Sequence, residues 1–129
     1  GHGVGHLSNV HEAPNGFRWK IVPERNDSCV LEEGMITSNE PGVYVEGEFG
    51  IRHENEMVVV KGNKNFYGQF MHFETLTFVP FDRKGIDKSL LSEDELAWLN
   101  DYHASVYEKI SPFLTNEEAE WLKEACRPL

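Results

Sequence analysis

Residues 34–55 read GMITSNEPGVYVEGEFGIRHEN, and on them the fold turns. Glu40 and Glu54 stand equally far from Gly47, on short segments rich in β-branched and apolar residues, with the acidic connection Glu46-Gly47-Glu48 between them. Such runs flanking a glycine-bearing turn predict a hairpin. Pro41-Gly42 ends the first strand, because proline lacks the ladder donor and glycine supplies the turn. Glu40 is thereby left at a strand end. A hairpin centred on Gly47 sets Glu40 opposite Glu54, with Cβ atoms roughly 4.5–5.5 Å apart. Carboxylates that close repel each other unless they share a proton or a cation. A bound metal is the usual remedy; two solvated glutamates on a surface hairpin are the plain alternative.

The other end of the chain weights the choice. Residues 1–12, GHGVGHLSNVHE, carry three histidines and three glycines. Glycine lets a backbone approach a ligand closely, and histidine is the commonest metal ligand. The spacing of His2 and His11 fits neither an HExxH helix nor a zinc finger. Read alone, the stretch is equally a surface histidine cluster.

The remaining chain reads as α+β, mainly antiparallel sheet followed by helices. Residues 12–16 are turn chemistry, with Asn15-Gly16 a strong turn pair. Residues 17–22 form a short extended segment ending at Pro23. Strands are expected over 35–40, continuing through 43–45, and over 49–60. A loop is expected at 62–65, and a third strand around 71–79, closed by Pro80. Ser92–Glu95 and Thr115–Glu118 are capping boxes that open two helices. Leu96, Leu99, Tyr102 or His103, Val106 and Ile110 follow the first at helical spacing; Ala119, Leu122 and Cys126 share one side of the second. Trp98 and Trp121 read as packing residues.

At 129 residues the chain has room for one modest domain. A net charge of −10 argues against nucleic acid and anionic membrane as partners. Cys29 and Cys126 form neither a CxxC motif nor a disulfide framework, so a reducing, cytoplasmic compartment is expected. The sequon at Asn26 is a common chance match. No apolar run approaches membrane-spanning length, and no signal peptide is visible. A start at Gly1-His2-Gly3 reads as a piece cut from something longer.

GHGVGHLSNVHE, LEEGMITSNEPGVY and GEFGIRHENEMVVV, in that order, resemble the C-terminal part of the catalytic domain of the Xaa-Pro aminopeptidase (aminopeptidase P) family, a group that also holds prolidase and methionine aminopeptidase. FETLTFVPFDRKGID and the LNDYH helix resemble the extra C-terminal segment of its longer, cytosolic-type members, so the resemblance runs over nearly the whole chain. It implies the C-terminal half of a pita-bread catalytic domain over 1–81 and a helical extension over 82–129. It also implies a dinuclear metal site, manganese first, with zinc or cobalt as alternatives. Such a pair of ions activates a water as nucleophile and polarises the scissile carbonyl. The reaction implied is release of the N-terminal residue from peptides with proline in second position.

Matched residue by residue, the metal ligands are His2 in HGVG, Glu40 in NEPG and Glu54 in GIRHEN. Glu40 also receives a proton. His11, in the VHE triplet, faces the substrate and supports catalysis, and Arg52 has a supporting, substrate-side role. His6 is a second candidate for the histidine ligand. His53, His72 and Glu74 read as structural or surface residues. Two aspartate ligands of the family lie N-terminal to HGVG, so the chain by itself is expected to be inactive, free of metal or holding one ion. The alternatives are a non-catalytic pita-bread binding or dimerisation module and a prolidase-type dipeptidase. Half a domain should expose apolar surface near 35–37 and 57–60, which predicts self-association or a homodimer.

Overall fold

A computed structural model describes residues 1–129 apart from Ser8 and Val10. The chain divides into two compact units, Gly1–Thr77 and Phe78–Leu129. Among the described residues no helix is long and apolar enough to cross a membrane.

The first unit is antiparallel sheet. Its strands are β1 (His2–Gly3), β2 (Glu12–Gly16), β3 (Ile36–Asn39), β4 (Gly42–Val45), β5 (Phe49–Arg52), β6 (Asn55–Asn65) and β7 (Gly68–Thr75). Five lie side by side in the order β2-β1-β3-β6-β7, and β4 and β5 form a separate ribbon. The predicted hairpin is present, centred on Gly47, whose φ of 76° is one that glycine adopts without strain. Gly42 pairs with Arg52 and Val45 with Phe49 in the ribbon; Asn39 pairs with Asn55 and Ile36 with Val58 in the main sheet. One register therefore runs through both ladders. Between them Pro41 accepts the His53 N–H at 3.2 Å but has none to give. The ladder breaks there, leaving Glu40 and Glu54 facing each other across the gap.

Three sequence expectations need correction in this unit. Residues 12–16 are a strand, not a turn: β2 pairs with β1, and its Asn15, 3% exposed, donates to the Ile36 carbonyl. Tertiary pairing overrides local turn chemistry there. Residues 17–22 lie outside every strand. Residues 62–65 belong to β6, where a register shift between Lys61 and Lys64 absorbs the glycine and asparagines as a bulge. The reversal falls instead at Phe66-Tyr67, followed by Gly68 at φ 130°.

β7 runs from Gly68 to Thr75 rather than over 71–79. The exposed apolar surface also lies elsewhere than expected. Residues 35–37 and 57–60 are half-buried or buried, with Thr37 and Val59 inside. Exposed apolar side chains include Phe70 and Met71 on β7 and Val43, Tyr44, Phe49 and Ile51 on the ribbon.

The second unit holds α1 (Glu93–Ile110) and α2 (Asn116–Ala125), each opened by its predicted capping box. Tyr102, Val106, Leu122 and Cys126 form the core. Tyr102 donates its hydroxyl to the Val79 carbonyl at 2.8 Å. His103, fully buried, accepts the Phe81 N–H on Nε2 at 3.1 Å. These two side chains hold residues 79–81 against α1. Trp98 and Trp121 are 57% and 67% exposed, so they are not core packing residues; Trp98 stacks flat on Tyr102 at 5.7 Å.

Candidate metal centre

Three candidate ligands arrive from three places in the first unit. His2 lies on β1, Glu40 just past the end of β3, and Glu54 just before β6. Each offers one ligand atom, and these atoms all lie within 4.8 Å of one another. His2 Nε2 is 3.3 Å from Glu40 Oε1. The imidazole is oriented by its other nitrogen: Nδ1 lies 2.9 Å from the Gly3 carbonyl, which can only accept, so Nδ1 carries the proton. Nε2 is thereby turned toward the carboxylates.

Arg52 Nε sits 3.3 Å from Glu54 and 3.8 Å from Glu40. Burial pushes the Glu40 carboxyl up, while the Ser38 hydroxyl and the Arg52 charge pull it down, and it lies below the ordinary glutamate value. Glu40 is accordingly ionised at neutral pH, with its side chain 17% exposed against 40% for Glu54. Two carboxylates facing each other beside an imidazole form a site that repels itself when empty of positive charge. Arg52 offsets part of that repulsion. The donor set, carboxylate oxygen with imidazole, suits a hard or borderline divalent ion, so these residues fit a metal.

His11 stands beside this cluster, its ring centroid 5.0 Å from that of His2 and nearly perpendicular to it. The two histidines line a groove of about 210 Å³ with Glu12, Ala13, Arg25 and Asp27. His6 is exposed and does not join the cluster among the described residues. His53 is exposed. His72 and Glu74 pair at 3.9 Å on the surface of β7.

Sequence reasoning missed Ser38 and Thr37. Both are fully buried, and Thr37 donates its hydroxyl to the His2 carbonyl at 3.0 Å. Ser38 donates to Glu40 Oε1 at 2.8 Å. A signal existed for Ser38: residues two apart on a strand share a face, so a hydroxyl two before the glutamate was placed to reach it.

Residues 1–61 match metallopeptidase family M24, and residues 69–129 match the C-terminal region of peptidase_M24. Across its whole length the chain is 46% identical to a probable Xaa-Pro aminopeptidase P from Coprinopsis cinerea and 42% identical to Xaa-Pro aminopeptidase 2 from Homo sapiens. It spans 21% and 19% of those two proteins. In structure it is similar to an X-prolyl aminopeptidase from Caenorhabditis elegans, described as a cytosolic enzyme with a di-nuclear active site. That likeness has a TM-score of 0.84 at 37% identity, over 99% of this chain and 21% of the other. The fold is the C-terminal portion of a pita-bread metallopeptidase. The chain belongs to metallopeptidase family M24.

Proposed function

We propose that this chain forms the C-terminal part of the catalytic domain of a dinuclear-metal aminopeptidase that removes the N-terminal residue ahead of proline. The convergence of His2, Glu40 and Glu54 within 4.8 Å carries the reading. In it, residues 1–81 belong to the catalytic domain and residues 82–129 are the C-terminal extension. His2 Nε2, Glu40 and Glu54 hold one ion and share in holding a second, manganese being the first candidate on donor hardness. When bound, the two ions supply an acidified water and an electrophilic carbonyl.

The chain's own residues then have distinct tasks. Glu40, ionised and steadied by Ser38, accepts the proton released on attack. His11, at the mouth of the groove, hydrogen-bonds the substrate beside the reacting carbonyl. Arg52 balances the two carboxylates and keeps both pointed inward. The 129 residues provide three of the five donors such a site uses, so on their own they hold one ion and do not turn over. A cytosolic location accords with the description of the Caenorhabditis elegans relative. The exposed apolar side chains of β7 and the ribbon favour self-association.

Calorimetry with Mn²⁺ tests the site. The chain should bind, and a Glu40→Ala/Glu54→Ala double variant should not. Equal binding by both would remove these residues as ligands.

A further inference from the structure

We infer that Ser38 is a positioning residue, whose single hydroxyl fixes the His2 main chain and the Glu40 carboxylate relative to each other. The inference rests on the reading of His2 and Glu40 as ligands given above.

β1, which carries His2, is two residues long, and its register against β2 slips between His2 and Gly3. Against β3 it has one paired position, Gly3 with Thr37. The slip falls at the candidate ligand itself, where the pairing of main chains is irregular. Side chains of β3 complete it. The His2 N–H donates to Ser38 Oγ at 2.9 Å, and the His2 carbonyl accepts from Thr37 Oγ1 at 3.0 Å. Both main-chain groups of His2 are thereby held by hydroxyls from neighbouring residues.

Ser38 differs from Thr37 in what its proton does. A serine hydroxyl has one proton to give and two lone pairs to receive with. A lone pair takes the His2 N–H. Two acceptors compete for the proton: Glu40 Oε1 at 2.8 Å and the His2 carbonyl at 3.5 Å. The shorter contact, to an ionised oxygen, wins. A directed relay results, from His2 N–H to Ser38 Oγ–H to Glu40 Oε1. Each bond polarises the next in so dry a place, Ser38 being 1% exposed. One buried atom therefore sets where imidazole and carboxylate meet, although 38 positions of chain separate their residues.

The test uses the intact chain with Ser38→Ala and Ser38→Thr. Two readouts are taken: Mn²⁺ affinity by calorimetry, and exchange of the His2 amide proton by NMR without metal. Ser38→Ala should weaken Mn²⁺ binding about 10–100-fold, the usual cost of losing a group that orients a ligand. It should also speed His2 exchange. Ser38→Thr, which restores a hydroxyl, should return both values close to those of the parent. If Ser38→Ala keeps both near the parent values, the positioning role is overturned. It is overturned equally if Ser38→Thr is folded by circular dichroism yet as impaired as Ser38→Ala. A parent chain that takes up no Mn²⁺, while Ser38→Ala still frees the His2 amide, sinks the ligand assignment alone and upholds the strap between strands.

Discussion

The carboxylates of Glu40 and Glu54 face each other across the gap between two ladders of one register, each with an oxygen within 4.8 Å of the other's and of a His2 ring nitrogen. Replacing either by its amide keeps the shape and removes the charge. Glu40→Gln and Glu54→Gln should each weaken Mn²⁺ binding by at least about 100-fold, more than the loss of a group that merely orients a ligand. Glu40→Gln should be the more damaging, since Glu40 is the less exposed and also touches His2. Calorimetry of the two variants gives the ranking directly.

Binding an ion to the folded state alone must raise stability. At an ion concentration of 100 Kd the gain is about 2.7 kcal/mol. Thermal unfolding should therefore shift upward with Mn²⁺ and return on chelation. Arg52 now offsets part of the repulsion between the two glutamates. Arg52→Met should lower the metal-free melting temperature only slightly, because so exposed a pair is screened by solvent. It should enlarge the Mn²⁺ increment, because the ion then relieves more repulsion. An unchanged increment would mean that Arg52 does not compensate the site.

Gly3 holds β1 close to β2. A Cβ built there would stand 2.2 Å from Asn15 Oδ1 and 2.7 Å from the Glu12 carbonyl oxygen. Backbone cannot yield as a flexible side chain can, so Gly3→Ala should cost about 1–3 kcal/mol, the range of core overpacking. Because His2 is the next residue, Mn²⁺ affinity should fall as well. Denaturant midpoints and calorimetry on the one variant would show both effects.

His103 links stability to pH in the helical unit. Burial, aided by the Arg83 charge, holds its imidazole below the ordinary histidine value. The unfolded chain therefore binds the proton first as pH falls. Stability should be fully present above about pH 6.5, the ordinary histidine value, and be lost progressively as pH drops toward the lower folded value. The physical event is loss of the Nε2 lone pair that accepts the Phe81 N–H. His103→Gln keeps an acceptor and cannot titrate, so its unfolding midpoint should be flat over that window. A parent midpoint equally flat between pH 7 and 5 would contradict the assignment.

Core and cap should separate by size in the same unit. Leu122, 3% exposed, fills the space between the helices, and Leu122→Ala should cost about 2–5 kcal/mol. Thr115 caps α2 from the surface, and Thr115→Ala should cost about 1 kcal/mol. Chemical denaturation of the two variants gives the ordering, and a reversal would misplace the core.

What the sequence determined by itself was short-range. Turn chemistry at Gly47, and the symmetric placing of Glu40 and Glu54 about it, specify the hairpin and its register, because a turn dictates the pairing of the strands it joins. The two capping boxes specify where α1 and α2 begin, since each is closed within four residues. The order of the HGVG, NEPG and GIRHEN motifs indicated which side chains would meet. Tertiary structure decided whatever depends on a distant partner. Ala13-Pro14-Asn15-Gly16 is a strand because β1 lies beside it, and residues 62–65 stay in β6 because β7 pairs with them through a bulge. Trp98 and Trp121 are exposed because Tyr102, Val106, Leu122 and Cys126 already fill the helical core. Ser38 meets His2 because folding lays β1 beside β3, within one hydrogen bond of the serine hydroxyl. The order of the motifs could bring the candidate ligands together on paper, but only the packed sheet could show the Ser38 hydroxyl between two of them.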